Sequence, residues 1–164
     1  MSYAALRSSL LAARDRRQAL LERLFPTAFP TTLMLSLNLP GDEKGGARAE
    51  RLFAWGEKAL AAAFPARLVV RGWDALGPFA LYRSPLGTRE AKRLAMGVET
   101  GQAAGRLLDL DIFDPSGRPV DRAGLGVPPR SCLLCPEPAI ACIRAGRHPG
   151  EALKAEARKV IDAL

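Results

Sequence analysis

Residues 106–113 read Arg-Leu-Leu-Asp-Leu-Asp-Ile-Phe, and the assignment of the fold starts from this stretch. In it, leucine and isoleucine alternate with Asp109 and Asp111. Because successive side chains of a β-strand point to opposite faces, a strand here has one apolar face and one acidic face. The stretch therefore predicts a β-strand that packs against a core on one side only.

The rest of the fold follows outward from this strand. Three further strands are predicted where short apolar runs end at turn residues, at 31–39, 67–73 and 78–83. Two helices are predicted where apolar residues recur at helical spacing, at 47–64 and 88–99. The order strand, helix, strand, strand, helix, strand is that of a ferredoxin-like βαββαβ sheet. We therefore expect an α+β fold built on such a sheet.

Helices are also predicted toward both ends of the chain, at 3–24 and 148–164. Between the last strand and the final helix, glycine and proline recur from 115 to 129 too often for regular structure. A Cys/His-containing segment follows, and we expect it to be irregular as well. No linker divides the 164 residues, so residues 1–164 are expected to form a single domain.

The composition narrows the class of protein. Apolar residues make up 48% of the chain, which argues against disorder. The net charge of +7 attracts anionic partners, which include nucleic acid, polyphosphate-bearing cofactors and acidic carrier proteins. No apolar run approaches the roughly 20 residues that span a bilayer, and residues 1–11 lack the features of a signal peptide. We therefore expect a cytoplasmic protein with no membrane partner.

Asp109 and Asp111 are candidate metal ligands and catalytic residues. On a strand their Cα atoms lie roughly 6–7 Å apart, so both carboxylates can bind one hard divalent cation such as Mg²⁺. Such a cation neutralises the phosphates in phosphoryl transfer. Arg106 precedes the pair, and the irregular segment after it brings Arg118, so both are candidate phosphate contacts. In the alternative interpretation, the two aspartates only solvate the exposed face of an edge strand.

The second candidate site is a cluster with the spacing C-x2-C-x6-C-x5-H. It consists of Cys132, Cys135, Cys142 and His148, which are all the cysteines and the only histidine of the chain. Three thiolates and one imidazole form a closed tetrahedral set for a structural Zn²⁺. Two alternatives remain open, since buried cysteines often pack as small apolar groups and His148 has a pKa suited to a general base. Disulfides are not expected, because a reducing cytosol keeps thiols free.

A third candidate is the turn after the first predicted strand. It reads Asn-Leu-Pro-Gly-Asp-Glu-Lys at 38–44, which combines an amide, a tight turn and a lysine. Lys44 can hold a phosphate as a point charge. An ordinary solvated turn is the alternative interpretation.

At these motifs the sequence resembles the holo-citrate lyase synthase family, which is also called apo-citrate lyase phosphoribosyl-dephospho-CoA transferase. The resemblance covers most of the chain. The segments that carry it are 105–112, 130–135 continuing to Cys142 and His148, and 37–41 with Lys44. It implies that a serine of the citrate lyase acyl carrier subunit attacks triphosphoribosyl-dephospho-CoA and expels diphosphate. A related family serves malonate decarboxylase by the same chemistry, so the identity of the carrier stays open.

Two main hypotheses therefore compete. The first is a single transferase domain over 1–164, a Mg²⁺-dependent enzyme of the nucleotidyltransferase type. Its residues are Asp109 and Asp111 for Mg²⁺ and catalysis, Arg106, Arg118 and Lys44 for the phosphates, and Asn38 for the shape of the pocket. The second is a non-enzymatic zinc-containing basic module that binds nucleic acid, which the few aromatic residues disfavour. A scaffold protein within a lyase assembly is a third interpretation.

Overall fold

The structure is a computed structural model that describes residues 3–41 and 44–164. Within these ranges it contains five α-helices and one four-stranded sheet, which confirms the α+β class. The elements are α1 (Tyr3–Leu24), β1 (Thr31–Leu37), α2 (Ala47–Ala63), β2 (Arg67–Asp74), β3 (Gly77–Ser84), α3 (Thr88–Gly101), β4 (Leu108–Phe113), α4 (Ala139–Ala145) and α5 (Gly150–Asp162). None of the helices in the described ranges is long and apolar enough to cross a membrane.

The strands lie in the spatial order β2-β3-β1-β4, and each neighbouring pair is antiparallel. β1 is therefore a central strand, and β4 forms one edge of the sheet. In the pairing of β1 with β4, Ser36 lies opposite Asp109 and Met34 lies opposite Asp111. Asp109 and Asp111 of the edge strand therefore lie next to the central strand β1.

One face of the sheet packs against α2 and α3, and α5 joins the same core by packing on α2 and the 3₁₀-helix before β4. Leu108, Leu110 and Ile112 are at most 1% exposed in this core, as the alternation of β4 predicts. Each such side chain contributes about 1.5–3 kcal/mol when it is fully buried. Burial of this apolar face therefore requires the aspartates of β4 to point to the opposite side.

The opposite face of the sheet is partly covered by α1. Leu21 of α1 packs with Met34 and Leu81 of the sheet. A bidentate ion pair also anchors this helix: the Arg17 Nε and Nη2 atoms donate to the Asp74 carboxylate at 2.8 and 2.7 Å. Both side chains are at most 10% exposed, so α1 is held over the face that carries the acidic residues.

Four local predictions need correction. The strand predicted at 106–113 begins at Leu108, because a short 3₁₀-helix covers Ala103–Leu107. The Cys/His segment is not wholly irregular, since it contains α4. The final helix begins at Gly150 rather than 148, because Pro149 occupies the position before its first turn. The helix predicted at 88–99 continues to Gly101, and Gly87 is its N-cap.

The glycine that opens the first family motif has a clear structural reason. A Cβ atom at Gly105 would clash with the backbone carbonyl oxygen of Val98. The 3₁₀-helix thus approaches the end of α3 too closely for any side chain at this position. This contact determines where the chain turns into β4.

Candidate active site and metal centre

Asp109 and Asp111 lie in a cleft between α1 and the open face of the sheet. The cleft has a volume of about 380 Å³, and Arg14, Gln18 and Lys44 also line it. The side chain of Asp109 is 47% exposed, so a ligand in the cleft can reach it. The cleft therefore combines two carboxylates with cationic side chains from α1 and from the segment after β1.

The environment disfavours two negative charges at this place. Partial burial raises the pKa of Asp109, while the nearby Arg130 opposes this shift. Burial and the charge of Asp109 together raise the pKa of Asp111 to about 6. A divalent cation between the carboxylates would offset both effects, because it stabilises their ionised forms. The donor chemistry of the pair therefore fits Mg²⁺, and raised carboxylate pKa values of this kind are common at functional sites.

The outer edge of β4 is covered by the charged side chains of Lys92, Glu99 and Arg130. The backbone N–H of Leu110 donates to Glu99 Oε1 at 3.0 Å, and Lys92 Nζ donates to the Leu110 carbonyl at 3.3 Å. Arg130 Nη1 donates to the Leu108 carbonyl at 2.8 Å. These bonds satisfy the free backbone groups of an edge strand, which would otherwise be able to pair with another chain.

Glu99 is the centre of this network. Its carboxylate is 2% exposed and lies 2.7 Å from both Arg122 Nη2 and Arg130 Nη2. The same Arg130 nitrogen lies 3.4 Å from Asp109 Oδ1. A chain of charges thus connects the buried end of α3 with the candidate metal ligand.

A sequence signal for this network was present. Lys92 and Glu99 are seven residues apart and share a face of α3 with the buried Ala91 and Ala95. Charged residues on an otherwise buried helical face indicate a paired polar group, because an unpaired buried charge is costly. What they pair with could not be inferred from helical spacing.

The other predicted site residues lie in different places. Lys44 lines the cleft of the aspartates, where its Nζ atom also donates to the Leu39 carbonyl. Arg118 is exposed in the turn after β4 and lines none of the clefts beside the aspartates. Asp42 and Glu43 of the predicted turn lie outside the described residues.

Arg106 and Asn38 line a second cleft, beside the Cys/His segment. Arg106 Nη2 donates to the Ser131 carbonyl at 2.7 Å and also to the Cys132 carbonyl. The backbone N–H of Asn38 donates to the Leu107 carbonyl at 2.8 Å, while its side chain is exposed. Arg106 therefore holds the Cys/His segment against the start of β4, a role that the sequence did not predict.

The structure brings Cys132, Cys135, Cys142 and His148 together as one cluster. Their ligand atoms all lie within 4.8 Å of one another. Cys135 Sγ lies 3.4 Å from Cys142 Sγ and 3.3 Å from His148 Nε2. Two thiolates on a tetrahedral Zn²⁺ are roughly 3.8 Å apart, given Zn–S bonds of about 2.3 Å. The cluster can therefore hold a metal such as zinc.

Three short structures bring the ligands of the cluster into place. A bridge between Ser131 and Pro138 closes a turn that presents the first two cysteines. Cys142 is on α4, which ends at Gly146 in the left-handed conformation. His148 follows two residues after this glycine, and Pro149 is the N-cap of α5. The left-handed glycine turns the chain back so that the histidine faces the cysteines.

The protonation of the cluster also fits a metal site. Burial opposes ionisation of Cys132, but hydrogen bonds from backbone N–H groups and the neighbouring thiols lower its pKa. Burial and hydrogen bonds to the other two cysteines raise the pKa of Cys142 to about 11. The three thiols form no disulfide. They thus form a set in which metal binding would displace the remaining protons.

Comparisons with known proteins match the chain to one family of proteins. The model of a family described as apo-citrate lyase phosphoribosyl-dephospho-CoA transferase matches residues 6–164. A protein of that name from Escherichia coli O139:H28 is 31% identical over 149 residues, covering 85% of this chain and 79% of the relative. One from Shigella boydii serotype 18 is 30% identical with the same coverage.

The family model and these relatives define the class of the protein, which is a transferase enzyme. The chain belongs to the apo-citrate lyase phosphoribosyl-dephospho-CoA transferase family. The resemblance found in the sequence is therefore confirmed, and membership of an enzyme family favours the transferase hypothesis over a nucleic-acid-binding module.

Proposed function

We propose that this chain transfers the phosphoribosyl-dephospho-CoA group from triphosphoribosyl-dephospho-CoA to a serine of the citrate lyase acyl carrier subunit. A bond forms between the serine oxygen and a phosphorus of the donor, and the bond from that phosphorus to diphosphate breaks. The observation that carries the proposal is the Asp109–Asp111 pair in a cleft that also contains Arg14 and Lys44. The cytoplasm is the proposed compartment, which agrees with three free thiols.

In this proposal Asp109 and Asp111 hold one Mg²⁺ ion. When bound, Mg²⁺ neutralises charge on the phosphates and on the departing diphosphate. Lys44 and Arg14 place further positive charge on the other side of the same cleft. Arg130 limits the movement of Asp109 through its contact at 3.4 Å. The chain thus supplies mainly orientation and electrostatic stabilisation, which are the main contributions to catalysis in phosphoryl transfer.

The other predicted phosphate contacts, Arg106 and Arg118, do not line the cleft of the aspartates. Arg106 uses part of its guanidinium to hold two carbonyls of the Cys/His segment, so we assign it to the second cleft. Arg118 is exposed in the turn that follows β4 and can reach only a part of the substrate that leaves the cleft. Asn38 stays a candidate for shaping the pocket, because it lines the second cleft.

The Cys/His cluster is proposed as a structural Zn²⁺ site. Its four donors complete a tetrahedron, which leaves no open position for a catalytic water. The ion would connect the 131–138 turn, α4 and the start of α5, which have little core of their own. Metal analysis of protein purified without added zinc should find about one Zn²⁺ per chain. A content far below this value would contradict the assignment.

The finer fold assignment is also a proposal. We assign the sheet to the ferredoxin-like βαββαβ type, in which parallel strands of each βαβ unit have another strand between them. The support is the order β2-β3-β1-β4 with antiparallel neighbours, since β3 then separates β1 from the parallel β2. Likewise, β1 separates β3 from β4.

The direct test is to measure the mass of a candidate apo-carrier after incubation with the enzyme, donor and Mg²⁺. We expect Asp109→Asn and Asp111→Asn each to lower the rate of modification by at least about a hundredfold, because the ion loses a ligand. Asp162→Asn is the matched control, because this carboxylate belongs to an exposed ion pair with Arg48 on the surface. Unchanged transfer in both active-site variants would refute the assignment.

A further inference from the structure

The second cleft lies between the end of β1, the Cys/His segment and α4. It has a volume of about 400 Å³, within the range of about 300–1,000 Å³ that small-molecule sites usually have. The side chains that characterise it are those of Asn38, Arg106, Arg130, Leu133, Ile143 and Leu153. Nothing in the proposed chemistry at the aspartates uses this space.

The charge of the second cleft favours an anion. Arg106 and Arg130 line it, and the described lining residues include no carboxylate. Hydrogen bonds to the Ser131 and Leu108 carbonyls, at 2.7 and 2.8 Å, hold the two guanidinium groups in place. Each guanidinium has five N–H donors, which is more than these bonds use. Two fixed guanidinium groups therefore border the cleft. Because Arg130 Nη2 is also paired with Glu99, Arg106 supplies most of the positive charge that the cleft offers to phosphate oxygens.

The other wall of the cleft is aliphatic. Leu133, Ile143 and Leu153 line it, and no phenylalanine, tyrosine or tryptophan occurs among the described residues that line the cleft. Ile143 is 73% exposed, the largest value among the exposed large apolar side chains of the described chain. Such a wall suits a flexible aliphatic group better than a flat base, which usually stacks on an aromatic side chain.

The second cleft comes close to the candidate active site at Arg130. Arg130 lines it and also lies 3.4 Å from Asp109. A single extended ligand can therefore contact the aspartates at one end and the aliphatic wall at the other. A donor with two phosphate groups separated by a nucleoside has this distribution of charge.

We propose that the second cleft binds the dephospho-CoA portion of the donor, which rests on the proposed function. The diphosphate of dephospho-CoA contacts Arg106 and Arg130, and the pantetheine arm lies against Leu133, Ile143 and Leu153. The triphosphate then lies at Asp109 and Asp111. The aliphatic wall thus contributes binding energy remote from the reacting phosphorus.

Two variants of α4 form a matched test. Ile143→Glu adds a negative charge inside the cleft, whereas Ile140→Glu adds the same charge on the same helix at a residue that does not line it. Both isoleucines are exposed, at 73% and 48%, so neither change should unfold the protein. Ile143→Ala removes apolar contact without adding charge and separates these two effects.

Isothermal titration with dephospho-CoA itself provides the first readout. We expect Ile143→Glu to weaken its affinity by about tenfold and Ile143→Ala by about threefold, with Ile140→Glu unchanged. Steady-state transfer should show the same pattern in the KM for the donor. The kcat should change by less than about twofold, because these contacts are remote from the reacting phosphorus.

The outcomes separate this inference from the proposed function. Carrier modification with the same donor KM in the Ile143 and Ile140 variants would overturn the inference and leave the function intact. An inactive wild-type protein whose dephospho-CoA affinity still differs between the variants would support the cleft and refute the transfer reaction.

Discussion

Replacing Glu99 with glutamine removes the charge at the centre of the network along the edge of β4. The substitution keeps the size of the side chain and leaves an oxygen that can accept the hydrogen bond from Leu110. It removes the negative charge that Arg122 and Arg130 each approach to 2.7 Å. Two neighbouring cations then lose their common partner in a buried setting.

The expected loss of stability can be worked out from these contacts. Breaking a buried ion pair by removing one partner costs about 3–5 kcal/mol. The side chains of Arg122 and Arg130 are 18% and 21% exposed, so solvent screens part of their repulsion. We therefore expect Glu99→Gln to lower the free energy of unfolding by about 2–4 kcal/mol, a large share of the 5–15 kcal/mol of a typical domain.

Urea unfolding at neutral pH measures this difference. Asp162→Asn is the control, because its bidentate pair with Arg48 is about half exposed on both sides. An exposed pair of this kind contributes about 0.2–1 kcal/mol. If Glu99→Gln destabilises the protein no more than Asp162→Asn does, the network is not a stabilising one and this reasoning fails.

Three further predictions concern other parts of the molecule. Because the folded protein raises the pKa of Asp111 to about 6, ionisation of this group destabilises the fold above that pH, and the cost disappears as the pH falls toward 4. In metal-free protein, Asp111→Asn should therefore raise the free energy of unfolding by about 1–2 kcal/mol at pH 8 and by much less at pH 4. Equal effects of the substitution at the two pH values would refute this prediction. Chelation of the Cys/His cluster should lower the thermal midpoint of the wild type by at least about 5 °C, but not that of Cys135→Ser, which lacks one ligand. Arg17→Ala should cost about 3 kcal/mol in urea unfolding because it leaves the carboxylate of Asp74 without its ion-pair partner, whereas the exposed Arg14→Ala should stay within about 0.5 kcal/mol.

Part of the fold could be predicted because its causes are local. The alternation of apolar and acidic residues in β4 is a property of six consecutive positions, and the burial of Leu108, Leu110 and Ile112 follows it. The helices α1, α2 and α3 likewise follow apolar residues at helical spacing. The short helix α4 was missed because seven residues between prolines and glycines carry too little periodicity to recognise.

The candidate site was predictable only in part for a related reason. Residue type and spacing in the chain pointed to Asp109, Asp111 and the four members of the Cys/His cluster. This is because one metal ion needs several side chains with suitable ligand atoms close together. Spacing could not select Glu99, whose contacts with Arg122 and Arg130 join residues far apart in sequence. It also could not predict that Arg106 holds the Cys/His segment through the Ser131 carbonyl.

The sequence by itself thus determined the order of the strands and helices, the acidic face of β4 and the family. Only the tertiary structure decided that α1 partly covers this acidic face, that Arg118 lies outside the clefts, and that Arg130 lines the second cleft and also contacts Asp109. The physical reason is the range of the interactions. Backbone periodicity acts over a few residues, whereas charge pairing and cleft formation depend on which distant segments the packed core brings together.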